Sequence, residues 1–551
     1  MEFRTRLISS LVKVFPDEEL SAPTRNSGSA LQGETFAFQI AYRSDRILNP
    51  VKVALATPIT LAVQIRRVEL VPVHLVGYDF DSDVLRKTPG LYPDPLLDFD
   101  GVLKVLPHQW QALWVTVKVP ENHPGGQFAI DIDFAYEAAD GNCFQLRETF
   151  NLGVIPVKLP KQQLIHTEWF HVDCLSHYYQ TPVWSERHWQ IIARYMRNAV
   201  EHGINMILTP LFTPPLDTAV GGERLTTQLV EVQRHDNTYT FGFDRLQRWI
   251  DTALAAGIEY FEMSHLFTQW GAAHAPKIVA QTEEKEQLIF GWNTAAAGPE
   301  YTTFLNTFLP ILTDWLKKQG LTERVYFHVS DEPNRSQLES YAQAAVLVRQ
   351  HLAEFKIIDA LSELEFYRHG LVSGPIPAIS AIESFVTAEV TPLWTYYCCG
   401  QWNRVTNRFL HFPSSRNRIA GTLFYRYNIV GFLQWGFNFW NSQYSLQNID
   451  PWQVTDCDGA FPAGDAFMVY PAADGNPVDS IHYEVFSEAL QDQRALQLLE
   501  RKMGRVALVE WLDHWQGYPI TMSDYPRGEE KVIALREQIN RLISNYFLPP
   551  Q

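Results

Sequence analysis

From residue 164 onward, short apolar, β-branched or aromatic runs alternate with amphipathic helical stretches. No other feature of the chain restricts its fold as strongly. The runs are LIHTEWFHV (164–172), NMILTPLF (205–212), EYFEMSHLF (259–267), RVYFHVSDEP (324–333), KIIDALSE (356–363), IPAIS (376–380), PLWTYYCC (392–399) and GFLQWGFNFW (431–440). The pattern between them predicts helices over 185–202, 244–256, 301–319, 336–353 and 402–421. Ser185 caps the first, Trp189, Ile192 and Tyr195 form its apolar stripe, and Gly203 stops it. After the eighth run, and an excursion, helices are predicted over 481–501 and 529–546, the last packing outside the barrel. Eight strands with intervening helices make an α/β protein with a (β/α)8 TIM barrel.

The first 160 residues read differently. FAFQIAYRS (36–44), LAVQIRRVELVPVHL (61–75), WQALWVTVKV (110–119), FAIDIDFAYE (128–137) and FQLRETFNLGVI (144–155) alternate partially and are rich in β-branched and aromatic residues. Turn residues separate them, as in ENHPGG (121–126) and ADGN (139–142). The reading is an N-terminal all-β sandwich over 1–160, with VIPVKLPKQQ (154–163) as the link. The catalytic (β/α)8 barrel, with its C-terminal helix, is then expected over 161–551.

Charge and cysteines exclude some classes of function. With 45 basic and 62 acidic residues the net charge is −17, which makes nucleic acid and anionic membranes poor partners. The N-terminal apolar run is broken by Lys13, Asp17, Glu18 and Glu19, so no signal-peptide core is expected. No run reaches 18 uninterrupted apolar residues, so no membrane span is expected either. Cys143, Cys174, Cys398, Cys399 and Cys457 fit neither a disulfide nor a zinc framework, and a cytoplasmic protein is the simplest reading. Adjacent Cys398 and Cys399 read as buried strand residues.

In a (β/α)8 barrel the active site is built at the C-terminal ends of the strands. The fourth run ends there in Asp331-Glu332-Pro333. Like charges that close raise one pKa of the pair, which suits a general acid at neutral pH. The same pair also reads as a capping Asp and a solvated Glu before the next helix. Trp169 ends the first run, Trp394, Tyr396 and Tyr397 lie on the seventh, and Trp435 and Trp440 lie on or after the eighth. Aromatic faces at a barrel mouth suit the apolar face of a sugar, although Trp on a strand is more often core. Asn438 reads as a sugar-hydroxyl partner or a loop-capping amide, and His171 and His265 as polar sugar contacts. None of the 17 histidines falls in an HxH or HExxH spacing and there is no CxxC, so neither a metal nor a cofactor is expected. No GxSxG elbow or Gly-rich phosphate loop occurs.

A retaining glycosidase with a protein nucleophile needs a second carboxylate about 5 Å from its acid. The seventh and eighth runs hold no Asp or Glu, leaving Glu262, Glu363 and Glu383 as candidates near strand ends. The other route is substrate assistance, in which the 2-acetamido oxygen of the substrate attacks the anomeric carbon. Two adjacent acids on one strand suit it. One polarises the amide while the other protonates the leaving oxygen.

At YFHVSDEP (326–333), GFLQWGFNFW (431–440), GDAFMVYPAADGNPVDSIHYEVFSEALQD (464–492) and HGINMILTPLFTPPLDTAVGGE (202–223) the chain resembles glycoside hydrolase family 123 over nearly its whole length. The resemblance implies a β-sandwich joined to a catalytic barrel and a β-N-acetylgalactosaminidase with substrate-assisted retention. Carried over, Asp331 orients the 2-acetamido group and Glu332 is the general acid, then the general base. The substrate expected is an oligosaccharide or glycoside cut from its end. Two other readings stay open. One is a glycosidase of other specificity with Glu262, Glu363 or Glu383 as nucleophile. The other is a catalytically silent carbohydrate-binding barrel.

Overall fold

The computed structural model describes residues 3–56, 60–137, 141–236 and 238–549. Part of the expected 139–142 turn lies outside the described residues.

The N-terminal strands form two five-stranded sheets packed face to face. Period-two burial explains the packing. In Gly126–Glu137, Ile130, Ile132 and Phe134 point inward and are buried, while Asp131 and Asp133 point outward. That strand pairs antiparallel with Cys143–Lys158, which also takes Ser27–Gln32 as a parallel neighbour. Cys143–Lys158 carries VIPVK to its end, so the chain between sandwich and barrel is shorter than the expected link.

The eight runs then form one parallel sheet. In chain order its strands are Ile165–Glu168, Met206–Thr209, Tyr260–Met263, Val325–Phe327, Lys356–Ala360, Gly374–Ile376, Leu393–Tyr396 and Ile429–Gln434. The sixth pairs regularly only with the fifth; it meets the seventh through one parallel bridge, Ala378 to Tyr396, and this closes the barrel. Side chains fill the interior, among them Met206, Leu208, Tyr326, Ile358, Trp394 and Leu433. Gly431 is required there, because a Cβ would lie 2.1 Å from the Trp394 indole.

Helices Glu186–Glu201, Asp244–Ala256 and Pro299–Lys318 follow the expected pattern, and the Ser185 side chain accepts from the His188 N–H as the first one's cap. The helix expected over 402–421 is instead an irregular stretch followed by the short helices Ser414–Arg418 and Ala420–Arg426. Two buried arginines hold this segment out of helix. Arg408 donates to Glu168 (2.8 Å), Gln434 (2.6 Å) and three backbone carbonyls, and Arg416 donates to the Val405 carbonyl (2.8 Å). A four-stranded sheet beside the barrel (Glu231–His235, Thr238–Gly242, Ile278–Gln281, Glu286–Phe290) and the helix Arg505–Gln516 were not legible as separate elements.

Helix Ile481–Met503 is buried on most of its circumference, between the barrel helices and the sandwich. Helix Glu529–Phe547 lies against the sandwich strands Ser27–Gln32 and Cys143–Lys158. Its buried Arg536 pairs with Glu34 of the sandwich and, at 2.6 Å, with Asp492 of the long helix. Among the described residues no helix is long and apolar enough to cross a membrane.

Candidate active site

Regular pairing of the fourth barrel strand stops at Phe327, and 328–332 turn into the barrel mouth. Three bonds make the turn. The Val329 N–H donates to Asp359 Oδ1 (3.0 Å), Ser330 Oγ to the Thr268 carbonyl (2.9 Å), and the Glu332 N–H to the Ala360 carbonyl (3.0 Å). Glu332 adopts φ 42°, a left-handed conformation unusual for a side chain of its size. Such strain clusters at functional sites.

Asp331 and Glu332 line a cavity of about 210 Å³. This is smaller than the ~300–1,000 Å³ of drug-sized pockets and suits one sugar residue. Trp169, Tyr396 and Trp435 share its wall, as do Asp217, Trp270, Tyr444 and the paired Cys398 and Cys399. Five predicted site residues therefore meet in one place: Trp169, Asp331, Glu332, Tyr396 and Trp435.

The two acids sit in different surroundings. Asp331 is buried, and its Oδ1 has no protein partner. Burial, and next the charge of Glu332, push its pKa well above the usual carboxylate range. Glu332 is half-buried, and its Oε1 accepts a 2.6 Å hydrogen bond from the Tyr396 hydroxyl. Burial and the Glu332 charge raise the Tyr396 phenol far up, so it stays a donor.

Beneath this pair lies a buried ionic network. His328 points Nδ1 at Asp359 Oδ1 (3.0 Å) and Nε2 at Glu262 Oε1. Burial works against its charge, but the bonds to Asp359 and Glu262 prevail and lift its pKa to about 10. Glu262 also accepts from Thr167 Oγ1 and, at 2.8 Å, from Trp169 Nε1. It thus fixes the Trp169 indole in the cavity wall. On the opposite side Asp465 Oδ2 holds Trp435 Nε1 at 2.9 Å, and burial raises the Asp465 pKa to about 7. The sequence reading missed Asp465, because it lies on an excursion after the last barrel strand.

Four predicted contacts are placed elsewhere. His171 and Asn438 brace one another through backbone bonds, His171 N–H to Asn438 Oδ1 (2.9 Å) and Asn438 Nδ2 to the His171 carbonyl (3.0 Å). They tie the first strand's end to the eighth's and do not line the cavity. Trp440 is buried against Tyr178 and Tyr195. His265 is buried behind Trp169 and stacked on His328, with ring centroids 4.2 Å apart, and burial pushes its pKa well down. The ligand atoms of His265, His328 and Asp359 lie within 4.8 Å of one another. Both His328 nitrogens already face carboxylates, so the group reads as a charge network.

The nucleophile candidates lie away from the cavity wall. Glu262 is sealed in its network, Glu363 precedes the short helix Leu364–Arg368, and Glu383 accepts from Tyr427 at the surface; none lines the cavity. Cys398 and Cys399, expected inside a strand, lie past the end of the seventh strand at the cavity wall.

No curated protein sequence matches this chain. Among solved structures, a family 123 glycoside hydrolase from Clostridium perfringens, studied for glycolipid glycan hydrolysis, superposes with a TM-score of 0.74 at 14% identity. The match covers 99% of this chain and 97% of that one, and at this identity it establishes the shared fold. A cyclomaltodextrinase aligns over 86% of this chain and 84% of its own, at 10% identity, with a TM-score of only 0.31. The family model for the glycoside hydrolase 123 catalytic domain matches residues 169–499, from the first cavity tryptophan to the long helix that closes the barrel. With more than half of its length matched and the acid pair at the barrel mouth, the chain belongs to glycoside hydrolase family 123.

Proposed function

We propose that this glycoside hydrolase is an exo-acting β-N-acetylhexosaminidase, with terminal N-acetylgalactosamine as its substrate, working by retaining, substrate-assisted hydrolysis. The observation that carries the reading is the division of the acid pair. Asp331 is buried with an unpartnered oxygen, and Glu332 beside it faces the cavity on a hydrogen bond from Tyr396. A buried acceptor has an unmet need that a substrate N–H can fill.

The free pair retains a proton, because two carboxyls this close resist ionising together. When the acetamido N–H donates to Asp331, it stabilises that carboxylate. Glu332 protonates the leaving oxygen as the acetamido carbonyl oxygen attacks the anomeric carbon. Asp331 balances the positive charge of the oxazolinium. Glu332, now ionised, then takes a proton from the water that opens the ring, and the β configuration is restored. Trp169 and Trp435, each fixed by a carboxylate, supply the walls for the sugar ring.

Asp217 is the remaining carboxylate of the cavity wall, and its Oδ2 is held by the Tyr444 N–H at 2.9 Å. Hydrolysis of aryl β-glycosides with and without a 2-acetamido group, by wild type, Asp331→Asn and Glu332→Gln, separates the routes. The proposal expects acetamido sugars alone to turn over. It also expects Glu332→Gln to lose most activity on poor leaving groups. Equal rates on plain hexosides would sink substrate assistance and point to Asp217 as nucleophile. Sugar binding without turnover would favour a silent barrel.

A further inference from the structure

The barrel carries a second cleft, at the end opposite the acid pair. Ile429 lines it and opens the eighth strand, whose other end leads to Trp435 in the active-site cavity. At the rise of a strand, the run from Ile429 to Trp435 puts roughly 20 Å between the two sites. The cleft holds about 350 Å³, more than the active-site cavity. That lies within the ~300–1,000 Å³ of small-molecule sites. Helix Ala420–Arg426 and the last turns of Ile481–Met503 wall it. Gly504, at φ 77°, turns the chain at its edge into helix Arg505–Gln516.

Side-chain amides dominate its lining. Gln493 and Gln497 stand one turn apart on one face of the long helix, and Asn428 sits exposed at the rim. The Tyr425 hydroxyl and Gln497 Oε1 are buried and have no protein partner, and Gln493 is 2% exposed. Elsewhere on this helix the same residue type is fully bonded. Gln491 accepts from the Thr35 N–H (2.7 Å) and donates to the Thr35 carbonyl (2.9 Å). Buried polar atoms without partners are uncommon, and two in one cleft mark a place for a hydrogen-bonding ligand.

Charge says which class. Glu500 pairs with Arg505 (3.5 Å), and Arg505 also donates to the Tyr425 carbonyl (2.8 Å) and lies over the Tyr425 ring. That ion pair is closed on itself, so the floor offers neutral groups that both donate and accept. Sugar hydroxyls do the same, and an amide meets a pair of them with matched bonds. An anion would meet the Glu500 carboxylate instead. We propose that this cleft is a second sugar-binding site, for a neutral pyranose held by Tyr425, Gln493 and Gln497. A sugar seated there is out of reach of the acid pair, so the site holds glycan without cutting it. Anchoring of this kind raises the effective concentration of cleavable ends at the active site. The proposal is independent of the hydrolytic route at Asp331 and Glu332.

The test is calorimetric titration of the full chain with galactose, glucose, mannose and N-acetylgalactosamine, and with inorganic phosphate as the charged probe. It is run on wild type and on the double variant Gln493→Leu/Gln497→Leu. At least one sugar should bind wild type and bind the double variant about tenfold more weakly, the size of one or two lost hydrogen bonds. The kcat/KM on an aryl glycoside should stay the same, which separates this site from the catalytic one. If the double variant melts early, Asn428→Gly replaces it. Glycine keeps the left-handed backbone of Asn428 (φ 55°) and removes one rim amide, so binding should weaken about fivefold. A sugar that binds wild type and variant alike, or no sugar binding at all, overturns the site. Phosphate bound there in place of sugar overturns the ligand class. Should the chain hydrolyse no glycoside, the proposed function is what has failed, and the titrations alone decide the second site.

Discussion

The Tyr396 hydroxyl donates a 2.6 Å hydrogen bond to Oε1 of Glu332. It joins the end of the seventh barrel strand to the acid after the fourth, across the cavity. Glu332 has only its strained backbone to aim it, so this phenol is what holds the carboxyl toward the leaving oxygen. Tyr396→Phe keeps the ring and removes the donor. A hydrogen bond to a charged group is worth about 1.5–3 kcal/mol, so kcat/KM should fall roughly 10–100-fold. Steady-state kinetics on an acetamido glycoside checks it, with thermal stability expected to change little.

Glu262 holds Trp169 and His328 and does not line the cavity. Glu262→Gln should therefore lower activity by loosening the cavity wall, and added azide should not restore it. Azide rescue with formation of a glycosyl azide would instead identify Glu262 as a nucleophile.

Stability should carry the signature of His328. Its folded pKa of about 10 lies above the 6.5 of an unperturbed imidazole. The folded state thus binds that proton more tightly than the unfolded one. The resulting stability is fully present below pH 6.5 and is lost as pH rises through about 10. The gap in melting temperature between wild type and His328→Gln should narrow across that window. A gap that stays constant with pH would contradict the imidazolium.

Arg536 bridges sandwich and barrel helices from a buried position, facing Glu34 and Asp492. Arg536→Met leaves the buried Glu34 without its cation and Asp492 with Arg418 alone, which costs about 3–5 kcal/mol. Denaturant unfolding should show that loss, with the sandwich coming away from the barrel before the barrel itself unfolds.

The barrel was legible because its first five strands are separated by helices with readable stops, such as Gly257, and its acid pair because Asp331-Glu332 falls just past the end of the fourth strand. Burial side was not legible. His171, Asn438 and Trp440 lie on the same runs as Trp169 and Trp435, but the strands end at Glu168 and Gln434, and beyond those ends alternation no longer tells which way a side chain faces. Long-range partners were hidden for a different reason. Asp465 meets Trp435, and Tyr444 meets Trp270, through loops that are distant in sequence and carry no periodic signal. The irregular 402–413 stretch reads as helix locally and is overruled by the buried bonds of Arg408 and Arg416.

The central claim is that the substrate's own acetamido oxygen is the nucleophile at this site. The most direct measurement is kcat/KM for one aryl β-glycoside series whose N-acyl group is acetyl, fluoroacetyl, difluoroacetyl and trifluoroacetyl. Each fluorine withdraws electrons from the attacking carbonyl oxygen. The account predicts a steep fall in rate along the series. A flat series, with Glu332→Gln still inactive, would contradict it and assign the nucleophile to the protein.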